Sequence, residues 1–240
     1  MDLKEADILG DELSRHWYYV SKGRALTSLL GDMHFDEVVD VGAGSGVFSR
    51  QLLDSEICDR ATCVDTSYLA DSDDVHNGKP LLMRRSGEGV APPLLLMMDV
   101  LEHVDDDLGL LRSYTDNMAS GSLVFITVPA FQFLWSGHDV FLEHYRRYTL
   151  PQVEALITAG GLEPVRGRYF FGLLFPVAAL FRLLDRFKSS RHGATPKSAL
   201  RRANTWLNRL LIGIHDIERF SLFGINRIAG LSVVCLARKP

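Results

Sequence analysis

The sequence predicts an α/β fold built on a mostly parallel sheet, and three observations carry that prediction. Short apolar, β-branched runs alternate with helical patterns over the first two thirds of the chain. One run, Glu37-Val38-Val39-Asp40-Val41, passes directly into Gly42-Ala43-Gly44-Ser45-Gly46, and a helical pattern starts immediately after it. The next run ends on an acidic residue, Asp65. At 240 residues, 47% hydrophobic and 23% charged, the chain can bury a sizeable core as one domain.

The elements follow in order. Residues 11–31 read as a helix, with Trp17, Val20, Leu26, Leu29 and Leu30 at helical spacing and Gly31 as the stop. Residues 37–41 form the first strand and Val47–Leu53 the next helix. Ala61–Asp65 is a second strand, Leu81–Met83 a weaker third, and Leu94–Met98 a fourth. Residues 104–118 read as a helix with acidic residues in its first turn, as the helix dipole favours. Ser122–Val128 is a strand that Pro129 ends. Thr149-Leu150-Pro151 opens a helix, with Thr149 as N-cap, and Gly160-Gly161 closes it. Leu231–Ala237 is the closing strand.

Composition excludes several classes. A net charge of −4 argues against nucleic-acid binding through overall basicity. Cys58, Cys63 and Cys235 are too few and too scattered for a disulfide framework. Residues 1–10 are acidic and lack the apolar core of a secretory signal, and no charge-free run is long enough to span a bilayer. The sequence therefore reads as cytoplasmic, with contact to a membrane through 170–190 left open.

The glycine-rich turn is the first chemical signal. Glycine there lets the chain turn tightly and lets a ligand approach without a Cβ in the way. A dinucleotide fingerprint needs G-x-G-x-x-G, and its third glycine position is Val47 here, so the nicotinamide oxidoreductase reading fails. The glycines fall instead as G-x-G-x-G behind Asp40. A carboxylate is a poor neighbour for pyrophosphate but suits a ligand carrying ammonium and sulfonium charges.

At these residues the chain resembles the class I S-adenosylmethionine-dependent methyltransferases. Val38–Gly46 looks like their first motif, and Cys63-Val64-Asp65 like the acidic strand end that takes the ribose hydroxyls. Met98-Asp99-Val100-Leu101-Glu102-His103-Val104 is similar to the LEHV stretch of small-molecule members, including ubiquinone-type O-methyltransferases. The resemblance implies a Rossmann-like, seven-stranded, mostly parallel sheet with helices on both faces and a helical insertion before the last strand. It divides the chain into an N-terminal helical cap (1–34), a cofactor-binding core (35–169), an insertion (170–220) and a closing strand (230–238). It implies S-adenosyl-L-methionine as cofactor. The residues it places there are Asp40, Gly42, Ala43, Gly44 and Gly46 on the first loop, Asp65 and Thr66 after the second strand, and Met98, Asp99, Val100 and His103 after the fourth. Trp17, Tyr18 and Lys22 lie on the preceding helix, where Lys22 is a candidate partner for the methionine carboxylate. The family's acidic residue after the third strand is missing; Ser86 or Glu88 is the substitute for an adenine contact.

The loop after the fifth strand is dense in functional groups. Phe131–Asp139, followed by His144-Tyr145-Arg146-Arg147-Tyr148, resembles a segment of a bacterial methyltransferase subgroup that reads LWS-x-HD…H-x-RRY. Methyl transfer rests on in-line placement, with a base where the acceptor is a hydroxyl. His138, Asp139 and His144 are the catalytic candidates, His138 or His144 as base; His103 reads as structural. The same three candidates make a loose metal pattern, and no residue is assigned to a metal. Arg146 and Arg147 fit either an anion clamp or structural ion pairs, and Asp105–Asp107 a solvated helix start.

The last third changes character. Tyr169–Phe181 is a nearly unbroken apolar run, and 182–202 carries seven basic residues against one acid, Asp185. A second helix carries Trp206, Leu207, Leu210, Leu211, Ile214 and Ile217 on one stripe. This segment fits a packed or dimerising subdomain, a lid over an apolar substrate, or an interfacial membrane contact. The expected activity is methyl transfer to a small-molecule or lipid-like acceptor, chiefly at oxygen. A regulatory or assembly protein that binds the cofactor without turnover, and protein or RNA methylation, are the alternatives.

Overall fold

The computed structural model describes residues 5, 8–87, 89–189 and 204–240. Strands β1 (Val38–Val41), β2 (Ala61–Val64), β4 (Lys79–Arg84), β5 (Leu94–Met98) and β6 (Leu123–Pro129) are parallel. β3 (Ser72–His76), β7 (Glu163–Phe170) and β8 (Ser232–Arg238) run antiparallel to their neighbours. The eight strands lie in the order β3-β4-β2-β1-β5-β6-β8-β7. The order reverses at β1, so a crevice opens beyond the carboxyl ends of β1 and β5, where ligands of open α/β sheets bind.

Period-two alternation sorts each central strand onto two apolar layers. Leu94, Leu96 and Met98 of β5 join one cluster, with Leu26 of helix α1 (Trp17–Leu30) and Leu52 of α2 (Val47–Asp54). Leu95 and Met97 join the other, with Leu111 of α3 (Asp107–Thr115) and Val153 and Ile157 of α5 (Leu150–Ala159). Between α3 and α5 stands a short helix, α4 (Gly137–Phe141). Both faces of the sheet are therefore covered, which is why its inner strands are buried along their length.

The sheet has eight strands where seven were expected. The extra strand, β3, pairs with β4 through a two-residue turn in which Asn77 and Gly78 both take positive φ, 49° and 80°. That is the hairpin chemistry of an Asn-Gly pair. Ser72-Asp73-Asp74 offers no apolar alternation to mark it, because this edge strand faces water on both sides.

Two helix starts shift. Residues 10–15 form a 3₁₀ turn and His16 is extended, so α1 begins at Trp17. Asp106 caps α3 by accepting the Gly109 N–H at 2.8 Å, which moves that start from 104 to 107. The Asp105–Asp107 run is not merely solvated: Asp107 accepts the Tyr148 hydroxyl at 2.7 Å and pairs with Arg146.

Between β7 and β8 stand α6 (Phe175–Ser189) and α7 (Thr205–Ser221). The apolar run 169–181 does not pack as one unit, because Phe171 at φ 60° and Gly172 turn the chain out of β7. Helix α7 has an unusual polarity. Its buried side carries His215 and Glu218, while Trp206, Leu210, Ile217 and Phe220 are exposed. Val177, Leu180, Phe181 and Leu184 make a matching exposed stripe on α6. The expected stripe on α7 thus divides, with Leu211 and Ile214 half-buried and Trp206 and Ile217 outside. Most of the basic run, from Arg191 to Arg202, lies outside the described residues.

Glu218 ties α7 to the sheet. It accepts the Gly172 N–H at 2.6 Å and sits 3.0 Å from His215 Nδ1. Replacing it by Ala leaves the buried His215 ring and the half-buried Gly172 N–H without this partner, and E218A should lower unfolding free energy by about 2–4 kcal/mol in denaturant melts. A loss under about 0.5 kcal/mol would mean that water serves these donors as well.

Candidate functional site

A cleft of about 490 Å³ opens beyond the carboxyl ends of β1, β2 and β5. Gly42, Asp65, Thr66, Asp99, Val100 and His103, all expected at a cofactor, line it. The glycine loop is folded by its own backbone: the Gly42 and Ala43 N–H groups donate to the Val64 carbonyl at 2.7 and 3.2 Å. Gly42, Gly44 and Gly46 all take positive φ, and a Cβ on Gly46 would lie 3.0 Å from Cys63 Sγ. Asp65 braces the loop from the next strand. Its Oδ2 accepts the Gly44 N–H at 2.9 Å, and its Oδ1 accepts the Ser67 N–H at 3.0 Å and the Ser67 hydroxyl. A carboxylate accepts about four hydrogen bonds, so a contact to two ligand hydroxyls requires Ser67 to release Oδ1.

Other expected cofactor residues stand elsewhere. Asp40, Ala43, Gly44, Gly46 and Met98 are buried and do not line the cleft. Ser86 is exposed on the loop after β4, and Glu88 lies outside the described residues. Instead, Tyr114 lines the cleft beside Leu110. A Cβ on Gly87 would lie 2.6 Å from the Tyr114 ring, so that glycine lets the ring lie against the loop. The signal in the sequence was the four-residue spacing of Leu110 and Tyr114 on α3, with Gly87 opposite.

Asp40 is nearly inaccessible, at 1%. Its Oδ2 accepts the Ser49 hydroxyl at 2.9 Å, and its Oδ1 has no hydrogen-bond partner among the described residues. Burial pushes its carboxyl up to about 6, against the Ser49 hydrogen bond.

Lys22 does not face the cleft. Its ammonium is buried, pairs with Asp99 and donates to Thr127 Oγ1 at 3.3 Å. Asp99 also accepts the Tyr18 hydroxyl at 3.0 Å and the Thr127 hydroxyl at 3.0 Å, with its backbone at φ 56°. Burial alone would raise the Asp99 carboxyl; the Lys22 charge and the hydrogen bonds from Lys22 and Tyr18 outweigh it and hold the group at about 2. The charge proposed for a cofactor carboxylate is thus engaged within the protein.

A second cavity, of about 200 Å³, adjoins the cleft, and Asp99, His103 and Leu142 line both. Its walls include Trp17, Tyr18, Tyr19 and Phe171, with Tyr18 stacked on Phe171 at 5.5 Å. Trp17 and Tyr18 therefore serve this cavity and not the cleft. Glu102, His138 and His144 bring polar groups into it. Burial lowers His138 to about 4, so its ring is neutral at pH 7.

Asp139, a catalytic candidate, has a holding role. It is fully buried and does not line the cavity. It takes Arg147 in a two-pronged pair at 2.6 and 3.1 Å, the Ser136 N–H at 2.8 Å, and His144 Nδ1 at 3.0 Å. Arg146 pairs with Asp105 and Asp107, so both arginines form structural ion pairs. The groups that converge are Glu102, His103 and His144, whose ligand atoms all lie within 4.8 Å of one another.

No family profile and no curated protein matches the chain. Solved structures do. The partner of the Trm112 methyltransferase activator in a Haloferax volcanii complex superposes with a TM-score of 0.57 at 16% identity, covering 99% of this chain and 96% of its own. A Thermotoga maritima SAM-dependent methyltransferase gives 0.57 at 15% identity, over 99% and 96%. One from Archaeoglobus fulgidus gives 0.55 at 14% identity, over 99% and 98%. At these identities the likeness is one of fold.

Asp40 provides a pH test. Its carboxyl is raised on folding, so the folded chain binds the proton more tightly and stability falls as pH rises from about 4 to 6. D40N lacks this dependence. Melts at pH 4 and pH 7 should show D40N gaining on the wild type by up to about 3 kcal/mol across the interval. A constant gap would mean that Asp40 is solvated.

Proposed function

We propose that the chain transfers a methyl group from S-adenosyl-L-methionine to the oxygen of a small, apolar or lipid-like acceptor. The observation that carries this reading is the junction of two cavities at Asp99, His103 and Leu142. One is a cleft over the glycine loop and Asp65, and the other is a small aromatic chamber. A group-transfer enzyme needs donor and acceptor sites meeting end to end.

The residues present fit the cofactor. Asp65 offers a carboxylate to vicinal hydroxyls, Val100, Leu110 and Tyr114 form apolar walls for a flat base, and the unpartnered Asp40 Oδ1 provides negative potential behind the glycine loop. Bound there, the cofactor supplies an electrophilic methyl group. The protein's own part is placement and desolvation: Trp17, Tyr18 and Phe171 exclude water from the acceptor, and neutral His138 accepts a proton from its hydroxyl. The exposed apolar stripes of α6 and α7, with the basic run 182–202 reaching from one helix towards the other in the sequence, suit docking on an anionic bilayer and favour a lipid-like acceptor.

Calorimetric titration with S-adenosylhomocysteine, with NADH as control, tests the class. Binding of the first alone is expected, and binding of neither would reduce the glycine loop to a structural turn. D65A should weaken that binding by about 1.5–3 kcal/mol while its circular dichroism stays native; unchanged affinity removes Asp65 from the site. H138A should keep the cofactor affinity and slow methylation by about 10²–10⁴-fold. The assay is a screen of phenol, quinol and lipid hydroxyls, the lipids in phosphatidylglycerol vesicles. Binding without turnover on any of them would favour a regulatory or assembly protein.

A further inference from the structure

We propose that Glu102, His103 and His144 bind a divalent transition-metal ion, of the zinc or manganese kind, at the seam between the two cavities. Two imidazoles and one carboxylate are a donor set for such ions and leave coordination positions open. The three side chains come from two places, the 3₁₀ turn Leu101–His103 after β5 and the chain beyond α4, yet their ligand atoms lie within 4.8 Å of one another. Bonds of about 2.1 Å to a central ion would set neighbouring ligands roughly 3–3.5 Å apart, so about 1 Å of side-chain adjustment closes the site.

Two further observations point to a cation. Glu102 is 1% exposed, forms no ion pair among the described residues, and its Oε2 has no hydrogen-bond partner there. A carboxyl oxygen buried this way without a partner is costly, and a cation beside it removes that cost. His144 is also oriented as metal ligands are, with one ring nitrogen held from behind. Asp139 holds His144 Nδ1 at 3.0 Å and leaves Nε2. Arg147 in turn fixes Asp139, so that carboxylate is a positioning group behind the site.

The location gives the ion a task, and this part rests on the methyltransferase reading. His103 lines both cavities, and Glu102 and His144 line the acceptor chamber. A hydroxyl ligated there gives up its proton to His138, which lines the same chamber, more readily than a free one. Its oxygen then forms the bond to the methyl carbon as the carbon–sulfur bond breaks, with the electron pair going to sulfur. The ion undergoes no change of oxidation state.

The test uses full-length protein dialysed against a chelator, with no cofactor or acceptor present. Titration with Mn²⁺ followed by electron paramagnetic resonance, and with Zn²⁺ by calorimetry, should show one ion per chain and a rise in melting temperature. E102Q and H144Q should each weaken binding by about a hundredfold or more. E102Q replaces a buried carboxyl that has no ion-pair partner among the described residues by an amide of the same shape, so its metal-free melting temperature should change little, which separates lost ligation from lost folding. Absence of stoichiometric binding, or binding that E102Q and H144Q leave unchanged, overturns the site. Titration of the same samples with S-adenosylhomocysteine reports on the cofactor cleft independently.

Discussion

The contact between Lys22 and Asp99 governs where everything else in the site can be. A lysine 1% exposed is tolerable only with a carboxylate against it, because removing either partner leaves a buried, uncompensated charge. Asp99 sits at the carboxyl end of β5, and Thr127 of β6 hydrogen-bonds both members of the pair. Helix α1 is therefore held across the ends of the central strands. That position makes Trp17 and Tyr18 walls of the inner chamber and keeps Asp99 at the boundary of both cavities.

A second buried carboxylate organises the opposite wall. Asp139 gathers Ser136, His144, Arg147 and, from α6, Arg182 at 3.4 Å. Among the described residues the two hubs differ from Asp40 and Glu102, each of which keeps one buried oxygen without a partner. Satisfied carboxylates shape the chamber; of the two unsatisfied ones, Glu102 lines the chamber while Asp40 lies beneath the glycine loop. Such groups lower the stability of the empty protein and are expected where function requires them.

Helices α6 and α7 belong to the same arrangement. Trp17 stacks on His215 of α7 at 5.5 Å, and Arg182 of α6 donates to the Leu134 carbonyl at 2.8 Å. Their polar groups turn inward to anchor the chamber, so their apolar residues are left facing out. This inversion of the usual helix polarity connects the build of the chamber to the outer surface of the molecule.

The glycine loop, the parallel core strands and the helix cap at Thr149 were legible from local pattern. Each depends on residues close in sequence: a strand period, a positive-φ position, a cap three residues from its partner. Whether a charge is free or engaged was not legible. Lys22 read as a cofactor partner, and Asp139 as a catalytic group, because their neutralising partners lie in other elements. Asp99 is 77 residues from Lys22, and Arg147 belongs to the loop beyond α4. The convergence of Glu102 and His103 with His144 has the same origin, since β5 and β6 are adjacent and their following loops share one end of the sheet. Local sequence determined the fold and the glycine loop, because these follow from backbone geometry and periodicity. The tertiary structure decided which ionisable groups face open space, because desolvation and pairing depend on what the fold brings alongside.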